Sequence, residues 1–167
     1  HAVHTLAFED DALTVATAGF WASLPMDYLL RITGRTNHGA SEARAMPLPD
    51  LHNPLTPALL LRTLRLNCLT RSYAKLWEDL FGRFSLAGEQ WAVSWDGLAP
   101  LAGSIAAEWD EATPLRNERE RRAALVELDA LVAVWLGIGV EELIAIYRGR
   151  YPILADREAE LWVDADG

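Results

Sequence analysis

The stretch from Pro47 to Phe81 reads PLPDLHNPLTPALLLRTLRLNCLTRSYAKLWEDLF, and it decides the fold class of the chain. Its early prolines hold the backbone extended, because proline fixes its own φ and disfavours a helical conformation in the residue before it. Thr56-Pro57 is typical of a helix start, with the threonine hydroxyl as a cap and proline at the first helical position. No glycine or proline follows until Gly82, so the pattern predicts one unbroken helix from Pro57 to Phe81.

Apolar side chains along this predicted helix fall on one stripe at steps of three, four or seven residues. The stripe consists of Leu59, Leu66, Leu69, Tyr73, Leu76 and Leu80, and it is widened by Leu60, Leu61, Leu64, Cys68 and Trp77. A helix with so wide an apolar surface is expected to be covered on more than one side. We therefore expect it to form the centre of the hydrophobic core.

The charged residues of the same helix are basic until its last turn. They are Arg62, Arg65, Arg71 and Lys75. At about 100° per residue the first two point away from the last two, so the four do not form a single basic face. Such residues are usually the solvated edges of a half-buried helix. Contact with phosphate is the alternative interpretation, and it needs support from elsewhere in the chain.

Composition limits the classes of protein to consider. A chain of 167 residues fits one domain, or one domain with a small appendage, and its hydrophobic fraction of 51% indicates a folded protein. The single cysteine excludes an internal disulfide, and no apolar run reaches the length of a membrane span. We therefore expect a cytoplasmic protein with no membrane partner. The net charge of -9 argues against a chain that binds nucleic acid by itself. Because the chain starts at His1 rather than methionine, we expect it to be part of a longer protein.

The remaining segments predict a mainly α fold, a helical domain with two long amphipathic helices, several short ones and room for a little strand near the N-terminus. The second long helix should start at a capping box, Asn117 to Glu120, and pack through apolar residues before Gly137 ends it. Those packing residues are Leu125, Leu128, Val132 and Trp135. Short helices are predicted at 18–21, 25–32 and 141–148, an extended segment at 151–154, and a loosely ordered acidic end. Residues 1–17 fit either a short hairpin or the lead-in to a helix.

Three short patterns resemble metal-binding, base-binding or cofactor-binding motifs, and each is better explained by a purely structural role. His1 and His4 would suit a copper site, but the known sites of that kind lie in β-sandwiches and this chain is helical. Asn53-Pro54 resembles the start of a base-binding Asn-Pro-Pro-aromatic motif, and it lacks the second proline and the aromatic residue. The glycines at 137 and 139 follow a helix, whereas a cofactor loop follows a strand. We expect no catalytic, cofactor-binding or metal-binding residue in this chain.

A resemblance to a known family spans most of the chain from about Trp21 onward, and two segments show it best. WASLPMDYLLRITGRTNHGASEARAMPLP, residues 21–49, resembles the end of the target-recognition region in large single-chain adenine-specific DNA methyltransferases of the type IIG restriction–modification and phage-defence kind. The stretch 122–154 resembles the C-terminal region of the same enzymes, with its Leu-Asp-Ala-Leu-Val-Ala run, glycine turn, Tyr-Arg and Tyr-Pro. The resemblance implies that residues 1–50 are the tail of a target-recognition region and 51–167 a helical spacer, packed as one compact unit.

The resemblance also implies a function for the parent protein and partners for this chain. The parent would transfer a methyl group from S-adenosylmethionine to adenine in double-stranded DNA, in restriction–modification or phage defence. This chain would be non-catalytic and without cofactor, and would position a recognition region beside the catalytic methyltransferase domain. The alternative is a helical protein–protein interaction module without direct DNA contact, facing the catalytic domain, a partner subunit or a second copy in a homo-oligomer.

The predicted DNA contacts cluster around a polar loop, residues 35–44. Arginine and asparagine are the residue types that read guanine and adenine edges with two hydrogen bonds, and this loop contains a single acid, Glu42. His38 is by itself more typical of an exposed loop residue than of a ligand. The candidate DNA-binding residues are Arg31, Arg35, Asn37, His38 and Arg44, with Arg62 or Arg65 as support.

Overall fold

The computed structural model describes residues 5–33, 39–102 and 105–160, and this part of the chain is helical without any strand. Its α-helices are α1 (Asp11–Trp21), α2 (Leu24–Ile32), α3 (Ala40–Ala45), α4 (Thr56–Asn67), α5 (Ala74–Arg83), α6 (Glu118–Trp135), α7 (Val140–Arg150) and α8 (Pro152–Glu160). Short 3-10 turns lie at Arg71–Tyr73 and Leu86–Gly88. The mainly α fold class predicted from the sequence is confirmed.

Helix α4 is the centre of the hydrophobic core, as its wide apolar surface predicted. Every residue from Leu59 to Leu66 is buried. Helix α1 packs along one side of α4 and α6 packs along another. The contact with α1 is close because of Gly19, where an added Cβ would lie 1.9 Å from the Thr63 hydroxyl oxygen. A larger residue at this position would force Thr63, or the packing of the two helices, to shift.

The prediction of one continuous helix over residues 57–81 is wrong. Helix α4 ends at Asn67, and the chain turns before α5 begins at Ala74. In a continuing helix, the Arg65 carbonyl would accept a hydrogen bond from the amide four residues later. Instead it accepts one from the amide of Leu115 at 2.8 Å, and the Cys68 carbonyl accepts one from the Trp109 indole at 2.9 Å.

Two details of that predicted helix also change. Leu69 and Tyr73, which the stripe placed in the core, are exposed, because the chain has left the helical path. The Thr56 hydroxyl donates to the Asp50 carbonyl at 3.2 Å and makes no capping hydrogen bond to α4. It therefore fastens the preceding turn to the helix rather than satisfying a free amide.

Both ends of α6 agree with the sequence prediction. The Asn117 side chain accepts hydrogen bonds from the amides of Arg119 at 2.8 Å and Glu120 at 3.3 Å. At the other end Gly137 has φ +71°, and the Ile138 amide bonds back to the Ala133 carbonyl at 2.8 Å. This positive φ and the backward hydrogen bond form a Schellman ending, for which glycine is the preferred residue.

Among the shorter elements the structure resolves one open choice and departs from the prediction at two places. Helix α1 starts at Asp11, so the open choice at residues 1–17 resolves as a helix lead-in, although residues 1–4 lie outside the described part. Helix α3 overlaps the second half of the predicted loop at 35–44. The predicted extended segment at 151–154 belongs to α8, because Pro152 occupies a first helical position, where its missing amide hydrogen costs nothing.

Candidate functional site

The predicted DNA-binding residues fall into three groups. Arg31 and Arg44 are exposed, on α2 and α3 respectively. Arg62 and Arg65 are buried within α4, with only 2% and 6% of their surfaces accessible. The other three predicted residues, Arg35, Asn37 and His38, lie outside the described residues.

Arg62 is the centre of a buried ion pair. Its Nε donates to Glu127 Oε2 at 2.7 Å, which joins α4 to α6. Its terminal nitrogens donate to the carbonyls of Ala58 at 2.9 Å and Gln90 at 2.8 Å. All three nitrogens of the guanidinium therefore have internal partners. The sequence suggested Arg62 as support for a DNA contact. That suggestion is corrected, because a duplex cannot reach a guanidinium buried in this way.

The carboxylate of this pair is as fully used as the guanidinium. Glu127 Oε1 accepts hydrogen bonds from the Ala92 amide at 2.8 Å and from the Trp95 indole at 3.0 Å. A buried charge is tolerated only when it is paired and its remaining hydrogen-bonding sites are satisfied. The pair therefore holds the irregular segment 89–95 against the helical core.

Arg65 is buried, and no carboxylate among the described residues is in hydrogen-bonding contact with it. It donates to the carbonyls of Leu101 at 2.6 Å and Thr113 at 2.9 Å. Burial lowers the pKa of this guanidinium, and the charge of Glu120 opposes that shift. Its assignment as a DNA contact is corrected for the same reason as that of Arg62. Both arginines instead attach the long irregular segment between α5 and α6 to α4.

Arg31 is exposed and already engaged at the protein surface. Its Nε donates to Asp27 Oδ2 at 2.6 Å, and its guanidinium lies 5.2 Å from the centre of the Tyr151 ring. The Tyr151 hydroxyl also donates to Asp27, at 2.8 Å. The hydrogen bond to Asp27 raises the pKa of Arg31. Arg31 therefore already has an acidic and an aromatic partner within the protein.

Arg44 lies on the rim of an apolar groove that the sequence did not indicate. The groove has a volume of about 650 Å³. The large apolar side chains that line it are Leu6, Phe8, Trp21, Leu30, Met46 and Leu48. These residues come from separate stretches of the chain between residues 5 and 48, so no local pattern reveals them. The Trp21 indole closes one part of the wall by donating to the Pro47 carbonyl at 2.8 Å.

The described residues contain few groups that could bind a metal ion or act as a nucleophile. They contain no group of three or more histidine, cysteine or acidic side chains that could hold a metal ion. Burial raises the pKa of the Cys68 thiol to about 11, so this thiol stays protonated near neutral pH and is a poor nucleophile. Among the described helices, none has the combination of length and apolar character needed to cross a membrane.

The fold and the site together define a helical module with a buried ion pair between α4 and α6. Of its four described candidate arginines, Arg31 and Arg44 lie on the surface and the other two are buried. Comparison with protein-family models, with curated proteins and with solved structures finds no match to this chain.

Proposed function

We propose that this chain is a non-catalytic part of an S-adenosylmethionine-dependent adenine-specific DNA methyltransferase of restriction–modification or phage defence. In this proposal its helices hold the tail of a target-recognition region in place beside the catalytic domain, in the bacterial cytoplasm. The resemblance of residues 21–49 and 122–154 to such enzymes supports the parentage. The observation that carries the positioning role is the direct contact between those two segments.

That contact is made by hydrogen bonds between residues far apart in the chain. The Leu24 amide, at the start of α2, donates to Asp129 Oδ1 on α6 at 2.7 Å across 105 residues. The Tyr151 hydroxyl donates to Asp27 across 124 residues. Helix α2 also packs against α6 and α7. A recognition segment attached to the helices in this way would keep a fixed orientation relative to them, which is the requirement for a spacer that positions it.

The described residues do not fit S-adenosylmethionine. A binding loop for such a cofactor follows a strand, and the described part of the chain contains no strand. Gly137 and Gly139, the nearest match by sequence, form the ending of α6 and the start of α7. The cofactor would therefore belong to the catalytic domain of the parent, and no step through it is assigned to this chain.

The proposed DNA contacts are Arg31 and Arg44, with Arg35, Asn37 and His38 from the segment between them. The strongest test of parentage is the reading frame that contains this chain. An Asn-Pro-Pro-Tyr motif encoded upstream of His1, together with adenine methylation by the encoded protein, would support the proposal. If the motif is absent, the methyltransferase parentage is rejected and the protein–protein interaction module described below becomes the preferred function.

The double substitution Arg35→Ala and Arg44→Ala in that longer protein is expected to reduce site-specific methylation without weakening cofactor binding. Each lost phosphate contact should lower the slope of log affinity against log salt concentration by roughly one. DNA binding at several salt concentrations and methylation of a target duplex measure both effects. The matched control removes the same charge from α7 by Arg148→Ala and Arg150→Ala. If both double variants behave alike, the loop makes no specific DNA contact.

A second candidate function, a helical protein–protein interaction module, is favoured by the apolar surface of the C-terminal helices. Helices α7 and α8 contain no buried residue among those described, and Val140 and Ile153 are 68% and 71% exposed. Exposed apolar side chains of this size are common at protein interfaces. If a second copy is the partner, the chain should dimerise and Val140→Ser with Ile153→Ser should be monomeric in sedimentation equilibrium. A wild-type monomer at high concentration would count against a second copy.

A further inference from the structure

Helix α7 presents a stripe of exposed residues that is acidic at one end, apolar in the middle and basic at the other end. The stripe consists of Glu141, Ile144, Ala145 and Arg148. These positions are spaced three, one and three residues apart, so at about 100° per residue they share one face of the helix. The partly buried residues of α7, Leu143, Ile146 and Tyr147, lie on the other side, where α7 packs against α2 and α8.

The two charged ends of this stripe have no partner in the described part of the chain. Neither Glu141 nor Arg148 makes a side-chain hydrogen bond or an ion pair with a described residue. Seven residues separate them, about 10 Å along the helix, so they cannot pair with each other. An acid in the first turn and a base in the last also suit the helix dipole. The dipole does not explain an exposed isoleucine between them.

The stripe is complementary to itself when a second copy of α7 lies antiparallel to the first. A twofold axis at the midpoint between Ile144 and Ala145 places residues at equal distances on opposite sides of that midpoint across from each other. Glu141 and Arg148 lie about 5 Å on either side of it. Each Glu141 would then face Arg148 of the other copy, with Ile144 and Ala145 packed at the centre.

Small residues leave room for a second helix to approach this face. Ala145 projects only a methyl group, and a Cβ added at Gly149 would have no described atom within 4 Å. Val140, which is 68% exposed, extends the apolar surface beside Ile144. Packing against another copy would remove both apolar side chains from water, which favours association.

We propose that α7 is a homodimerisation helix, which packs antiparallel against α7 of a second copy of this chain through two symmetry-related Glu141–Arg148 pairs. This inference rests on the second candidate function, the protein–protein interaction module, and specifies its partner and its contact. Helix α7 has 11 residues and is about 16 Å long. One face of so short a helix buries little surface, so the dimer should be weak and reversible.

Reversing one charge at a time tests the pairing in the chain alone. Sedimentation equilibrium is measured from about 10 μM to 1 mM, the range suited to a weak dimer. Glu141→Lys and Arg148→Glu should each raise the dissociation constant at least about tenfold, because the twofold axis turns two attractive pairs into two repulsive ones. An equimolar mixture of both variants should associate about as tightly as wild type. In the mixed dimer the two introduced charges face each other and one native pair remains.

A matched control makes the same change one residue further along the helix. Glu142→Lys alters the same charge in the first turn of α7 but about 100° away from the centre of the stripe, so it should associate as wild type. Far-ultraviolet circular dichroism checks that each variant is folded. Because Arg148 lies in the stripe, the DNA-binding control Arg148→Ala with Arg150→Ala is compared with wild type at concentrations where both are monomeric.

A wild-type chain that stays monomeric at 1 mM would overturn the proposal and leave the interaction module with a different partner. A wild-type dimer that neither reversal weakens, or a mixture that does not recover affinity, would overturn the α7 contact and assign dimerisation to another surface. If a variant does not fold, NMR spectra of the wild type over the same concentrations decide the question. Shifts concentrated in the α7 amides support the contact, and unchanged α7 amides exclude it.

Discussion

Replacing Glu127 with alanine is expected to lower the free energy of unfolding by about 3–5 kcal/mol, because it leaves the Arg62 guanidinium charged and buried. Urea denaturation followed by far-ultraviolet circular dichroism measures the loss. Glu89, 3.8 Å from Arg62, is the one other carboxylate in the described structure that forms an ion pair with this guanidinium. At that distance it makes no direct hydrogen bond and replaces little of the lost interaction.

The loss should also loosen the segment that Glu127 holds. Its Oε1 is the acceptor for the Ala92 amide and the Trp95 indole, so both donors lose a partner in the variant. An increased exposure of Trp95 to a fluorescence quencher in the folded variant would report this local effect. Glu127→Gln keeps the shape and one acceptor, and is expected to cost less than alanine.

Two controls separate the buried pair from a general effect of removing an acid. Glu108→Ala removes a carboxylate from an exposed position and should change stability by no more than about 0.5 kcal/mol. The double variant Arg62→Met with Glu127→Leu removes both charges and should be more stable than Glu127→Ala alone. If Glu127→Ala unfolds at the wild-type urea concentration, the pair does not fasten the fold.

Local sequence signals were sufficient where a helix end depends on adjacent residues. Asn117 and Gly137 define α6 because capping and a positive φ act within one turn of the chain. The end of α4 depends instead on Leu115 and Trp109, which lie more than 40 residues away. Their N–H groups donate to the carbonyls of Arg65 and Cys68, which would otherwise accept hydrogen bonds from a continuing helix. No local pattern contains that information.

The buried arginines show a different limit of sequence interpretation. Basic residues are rarely buried, so Arg62 and Arg65 were interpreted as solvated or DNA-facing. One signal pointed the other way: leucines flank both arginines along α4, and so wide an apolar surface predicted a helix covered on more than one side. What the sequence could not supply was the partners. Glu127 is 65 residues from Arg62, and the carbonyls that bind Arg65 belong to irregular segments.

Replacing Leu128 with aspartate is expected to unfold the chain. Leu128 is 2% exposed on the face of α6 that packs into the core, where an unpaired carboxylate costs several kcal/mol. Natural domains are stable by only about 5–15 kcal/mol, so this single change removes most or all of the margin. Circular dichroism during thermal unfolding should show either no transition or a greatly lowered midpoint.

The same substitution three residues earlier provides a matched control. The sequence placed Leu125 in the core with Leu128, but Leu125 is 41% exposed. Leu125→Asp should therefore change the free energy of unfolding by no more than about 1 kcal/mol. It is a matched control because it makes the same leucine-to-aspartate change on the same helix as Leu128→Asp. Leu66→Asp on α4, at a buried position, should behave like Leu128→Asp. A wild-type melting temperature for Leu128→Asp would show that the inward face of α6 is wrongly assigned.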